Sequence, residues 1–289
     1  MAHVLAPQRE RMKSFFDLVY SIGAAGDNAL GSASRPEGQL NGRLFVFDVC
    51  VLVRGVNALK SARVLCEEGQ WEFAASMVRQ LFELVLNVEH LKTFADRDEG
   101  NLRYAKYGLM QHIERRRGAM LYAKKTGRDI DEDHLQEAEQ MLDNAFPEFR
   151  SKSAKGKLIR DQYWSGHNVR ELAKRSSHPM RLDQYDLLFV PYSDQAHGAP
   201  SVLVDAMFNR NVKPEDMFVQ DTIRIGETLI MAINLFLELW DLLEHVPNPA
   251  AEDRLAWIAA TKIEAEKFGV WPTTPHLHEM LNEHGNETC

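Results

Sequence analysis

No proline occurs between Pro36 and Pro147, so about a third of the chain runs without its strongest helix breaker. Within that span the apolar spacing is helical. In 71–94 the polar residues Glu72, Ser76, Arg79, Glu83, Asn87 and His90 recur at steps of three or four, and side chains such as Ala74, Val78, Leu81, Phe82 and Val85 fill the rest of the circumference. A narrow polar stripe on a wide apolar arc predicts a helix packed against several neighbours. The stretch 215–246 repeats the pattern, with polar positions that include Arg224, Glu227, Glu238 and His245, and Pro214 and Pro247 bracket it.

Further helices are expected over 8–26, 40–67, 100–125, 131–145, 167–176, 182–197 and 250–268. The Glu68-Gly69-Gln70 turn should fold 40–67 and 71–94 into an antiparallel hairpin. No alternating strand pattern of useful length appears, the basic 150–168 stretch reads as an exposed connection, and 271–289 reads as a C-terminal tail. The expected fold is all-α: a multi-helix bundle of long antiparallel helices, one helical domain over 1–270 with its core in 40–246.

Composition narrows the class. With 289 residues, 45% apolar and 26% charged, the chain is neither disordered nor a disulfide scaffold. Cys50, Cys66 and Cys289 show no CxxC spacing and suit a reducing compartment. The N-terminal MAHVLAPQRERMK lacks the apolar core of a signal peptide, and the runs LFVFDVCVLV and LIMAINLFLELW are too short for a membrane span and carry Asp48 and Glu238. A cytoplasmic protein with no membrane association is expected, and its apolar helices suit a homo-oligomer.

The net charge of −8 hides a mosaic: 103–128 holds 8 basic and 1 acidic residue, 129–149 holds 0 and 8, and 150–181 holds 9 and 2. The two basic segments could form a face for RNA or a nucleotide, with Tyr104, Tyr107, Tyr122, Tyr163 and Trp164 stacking on bases. The simpler reading is that the acidic helix between them neutralises both across a packed hairpin.

Phosphate-binding glycine loops, GxSxG, HExxH and EF-hand patterns are absent. The Asp-x-x-His from Asp131 to His134 is explained as an acidic helix start, and His276, His278 and His284 fall in the tail. No metal or cofactor is expected. Asp48, alone among apolar neighbours, must be paired, hydrogen-bonded or protonated. Arg79 or Arg224 is the expected partner, and a site carboxylate is the alternative.

The block VRGVNALKSARVLCEEGQWEFAASMVRQLFELVLNVEHL (53–91), followed by PYSDQAHGAP (191–200), resembles a bacterial family of helical proteins, domain-of-unknown-function family five-six-seven-seven. The resemblance implies a site made of Arg79 and Glu83 from an Arg-x-x-x-Glu element and Tyr192, Ser193 and His197 from a Tyr-Ser-x-x-x-His element. It also suggests a loose analogy with HEPN ribonucleases of bacterial and antiviral defence. Their Arg-then-His signature is matched formally by Arg128 to His134, in the acidic run, and Tyr192 stands where His197 would need an arginine.

The spacing adds its own argument. Arg79 and Glu83 are one helical turn apart, as are Ser193 and His197 if 192–197 is helical, and Gly198 is free to end that helix. An imidazole, a hydroxyl, a guanidinium and a carboxylate suffice for acid–base chemistry at a phosphate. The leading expectation is therefore a defence- or stress-associated ribonuclease or nucleotide-acting protein. In it His197 is acid/base, Arg79 contacts phosphate, and Glu83 and Ser193 orient them. The rival is a non-enzymatic interaction or dimerisation module in which the same residues form a structural network.

Overall fold

The computed structural model describes residues 8–33, 42–152, 158–208 and 213–269. They divide into two compact units. The first comprises the chain up to His90 and from Leu172 onward, and the second is the inserted Leu91–Glu171. The fold is all-α, as expected, apart from one small two-stranded sheet in the second unit.

In the first unit, α1 (Lys13–Ser32), α2 (Gly42–Glu67) and α10 (Pro214–Asp241) pack on one another, and α11 (Ala251–Lys267) lies against α1 and α10. Phe15, Val19 and Ile22 of α1, Leu52, Val56 and Leu59 of α2, and Leu229, Ile233, Phe236 and Trp240 of α10 are buried between them. Glycine permits the close approach: a Cβ on Gly55 would stand 2.9 Å from Leu239 Cδ2, and one on Gly26 2.6 Å from Val56 Cγ2. The expected turn after α2 forms, with Gly69 at φ 69° and the Gln70 amide bonded to the Leu65 carbonyl at 2.8 Å. It leads into α3 (Trp71–Leu91), whose Trp71 indole donates to Asp221 on α10 at 3.1 Å.

In the second unit, α4 (Arg97–Lys125) packs against α5 (Glu132–Asn144). Asp96 caps α4, and Asp131 caps α5 by accepting from the His134 amide. The Asp131 to His134 run is thus a helix cap, and among the described residues no cluster of three metal-ligating side chains exists. The 150–168 stretch corrects the reading as a simple connection. It carries the antiparallel pair β1 (Arg150–Lys152) and β2 (Leu158–Arg160), with Arg150 opposite Arg160, before the chain reaches α6 (Val169–Arg175). Strands of three residues are too short to show an alternating pattern.

The expected 182–197 helix is a composite: α7 (Arg181–Gln184), a π-helical turn (Tyr185–Phe189) and α8 (Val190–His197), followed by α9 (Pro200–Phe208). The cause is Pro191, which lacks an N–H and whose ring would crowd the carbonyl four residues back. One wider turn, with the Val190 amide bonded to the Tyr185 carbonyl, precedes it. Gly198, left-handed at φ 59°, ends α8 as expected. No helix among the described residues is long and apolar enough to cross a membrane. The tail histidines lie outside the described residues.

Candidate functional site

The composite α7–α8 arm runs antiparallel to α3. Arg181 at its start reaches Glu89, near the end of α3. Phe189 lies against Phe82 (ring centroids 5.7 Å apart), and Ser193 and His197 arrive at Arg79. Four of the five residues expected at a site therefore meet, on the two elements expected to carry them.

Arg79 is fixed on several sides. Its Nε donates to Glu83 Oε1 at 3.1 Å and its Nη1 donates to Ser193 Oγ at 3.3 Å. The same Nη1 stands 2.9 Å from His197 Nε2. A guanidinium can only donate, so Nε2 is the acceptor here and the ring hydrogen sits on Nδ1. The guanidinium carbon also lies 4.7 Å from the centroid of Phe189, which stacks on Tyr185. Among the described residues nothing pairs with Arg79 Nη2, and that atom is not sealed from solvent, so two N–H groups of an oriented cation are left for water or a ligand. The cluster is open to water: the Arg79 and Glu83 side chains are 25% and 39% exposed, and His197 is exposed.

Tyr192 does not join them. Its hydroxyl instead hydrogen-bonds the Thr228 side chain of α10, and desolvation pushes its pKa up to about 12.

At the far end of the same pair of elements is a second charged group, which the sequence alone did not reveal. Arg181 is 2% exposed and sits between two carboxylates, with Nη2 2.7 Å from Glu89 on α3 and Nη1 2.6 Å from Glu238 on α10. Gln184 also accepts from Nη1 at 2.6 Å, and Ser176 donates to the other oxygen of Glu89 at 2.8 Å. Burial works to lower the Arg181 pKa, but Glu238 and Glu89 outweigh it and hold it above the usual arginine value. The signal was present, because Glu238 lies in one of the two strongest apolar runs of the chain, where a carboxylate must find a partner.

Asp48 shows the same logic with a different partner. It is fully buried, but neither Arg79 nor Arg224 reaches it. The His245 ring Nδ1 lies 2.8 Å from its Oδ2, and the His245 amide donates to the same oxygen at 3.1 Å. Arg224 pairs instead with Glu227.

The family model described as Family of unknown function (DUF5677) matches residues 49–215, more than half of the chain. The chain belongs to this family. No curated protein and no solved structure gives a significant match. The span that defines DUF5677 in this chain contains Arg79, Glu83, Ser193 and His197, together with Arg181 and Glu89, whereas Glu238 and His245 fall outside it.

Several cations of the basic segments in this DUF5677 member are paired with carboxylates. Arg117 pairs with Glu139 at 3.0 Å, Lys124 with Glu132 at 2.7 Å, and Lys106 with Glu148 at 3.0 Å. Arg160 pairs with Glu114 and Arg150 with Asp143, while Lys155 and Lys157 lie outside the described residues. Of the aromatics expected to stack on bases, Tyr107 packs edge-on against Phe149, and Trp164 is buried with Tyr104 against its ring. Only Tyr122 and Tyr163 are well exposed, at 67% and 41%.

The desolvated Tyr192 hydroxyl gives a pH test. Its folded pKa of about 12 lies above the ordinary 10.0, so the folded state holds this proton more tightly than the unfolded chain. Its contribution is complete below pH 10 and is lost as pH rises toward 12, a fall of about 2–3 kcal/mol at ~1.4 kcal/mol per unit. Urea unfolding of Tyr192→Phe between pH 9 and 12 should show a correspondingly shallower decline than the parent. Parallel declines would place the hydroxyl in water.

Proposed function

We propose that the Arg79–Glu83–Ser193–His197 cluster is a phosphate-ester site, acting hydrolytically on a nucleotide or on RNA. The observation that carries this reading is the outward Nη2 edge of an arginine whose other donors are already fixed. A planar cation held in this way is pre-organised for phosphate oxygens. A phosphate oxygen arriving at Arg79 competes for Nη1 and releases the lone pair of His197 Nε2. That nitrogen then takes a proton from the attacking water as the water oxygen bonds to phosphorus. The phosphorus–ester oxygen bond breaks, and His197 returns the proton to the leaving oxygen. Glu83 and Ser193 keep the guanidinium in register.

One observation favours a second reading, a purely structural tie: each member of the cluster is already bonded to Arg79, which joins α3 to α8. His197→Ala separates the two. Hydrolysis of a panel of nucleotides and a short RNA should be abolished while the melting temperature holds nearly constant. No turnover by the parent, together with a large fall in the melting temperature of the variant, would establish the structural tie instead.

A further inference from the structure

Building on the phosphate-ester reading, we propose that this site takes a small molecule with a single terminal phosphate, such as a mononucleotide, rather than an RNA strand.

The first argument is the supply of cations. On α3 and on the α7–α8 arm the only arginines or lysines are Arg79 and Arg181. Arg181 is buried and held by two carboxylates, so Arg79 alone meets solvent. The same two elements carry Glu72, Glu83, Asp183, Asp186 and Asp194. A strand bound through one phosphate would drag its neighbouring phosphates past these acids. The unit that holds the site has 18 basic against 28 acidic residues, and the inserted unit has 16 against 14. A polyanion track needs a row of unpaired cations.

The second argument is the charge of the bound group. His197 Nε2 faces Arg79, so its Nδ1–H points away from the guanidinium, and Nη2 is left as the anchoring donor. A terminal phosphate carries close to two negative charges on one group, whereas an internal diester carries one and is flanked by chain on both sides. A single oriented cation therefore favours a group at the end of a molecule.

The test uses the full chain with 5′-AMP and a labelled 12-nucleotide single-stranded RNA, each at 50 and 200 mM salt. AMP should bind, raise the melting temperature of the parent, and weaken only a few fold across the salt range. Arg79→Ala should weaken it at least tenfold, and RNA should bind no more tightly than AMP. The thermal shift of the parent stands even if Arg79→Ala fails to fold. RNA binding more than tenfold tighter, falling by hundreds-fold between the two salts as about six phosphate contacts require, would overturn the inference. The phosphate-ester reading would survive that result if Arg79 were still needed. Binding of neither probe, with Arg79→Ala lowering the melting temperature, would overturn both.

Discussion

Arg181→Ala is expected to destabilise the folded chain by about 3–5 kcal/mol, the usual cost of removing one partner from a buried ion pair. The side chain is 2% exposed, and it faces Glu89 and Glu238, themselves only 14% and 11% exposed. Removing the guanidinium leaves two carboxylates in a low-dielectric pocket with no cation between them. They can remain only by drawing in water or taking up protons, and protonation is the easier course as pH falls. Urea unfolding should therefore show the largest loss at pH 8 and a smaller one near pH 4.5, where the carboxyls are closer to neutral. Combining Arg181→Met with Glu89→Leu and Glu238→Leu in one chain should recover most of the stability, since apolar replacements of buried ion groups are often neutral or favourable. A loss below about 1 kcal/mol for Arg181→Ala, or one independent of pH, would show that the cluster is wetter than its burial indicates.

This clamp also explains what could be read in the sequence and what could not. Local periodicity reveals which face of a helix is polar, so the long helices were legible, whereas the meeting of the 71–94 segment with the 182–197 element was only what the family resemblance implied. Arg79 with Glu83 and Ser193 with His197 are each one turn apart, and one turn is the distance that periodicity reports. Arg181 was hidden because its basic neighbours made it look like part of a solvated segment, while its partners lie on two other helices. The His245 partner of Asp48 was hidden for the same reason: burial demands a partner without saying which. Tyr192 was misplaced by its neighbour. Ser193 faces Arg79, so on a helix the preceding residue is turned about 100° away, and here that direction leads to Thr228. The π turn had a visible cause in Pro191, but nothing local chooses between a kink, a break and a widened turn.

Arg79→Lys is expected to lower turnover of the phosphate ester by about 10²–10³-fold, the cost typical of removing one fixed donor from a charged transition state. Lysine keeps the charge, so any role that needs only a cation would survive. The other properties of Arg79 would be lost. An ammonium on a flexible stem has no planar fork to hold Glu83, Ser193 and His197 together while an outer edge stays open. Nor can it stack on Phe189, whose ring centroid lies 4.7 Å from the guanidinium carbon. The stability cost should be modest, about 1–2 kcal/mol, because the Arg79 and Glu83 side chains are partly in water and such pairs contribute little. The pattern to look for is therefore a large fall in kcat with a small fall in melting temperature, opposite to that of Arg181→Ala. The two can be compared directly because both arginines join α3 to the same arm. Full turnover in Arg79→Lys would mean that the fork is not used on the substrate, and equal losses of stability in the two variants would mark Arg79 as a second structural clamp.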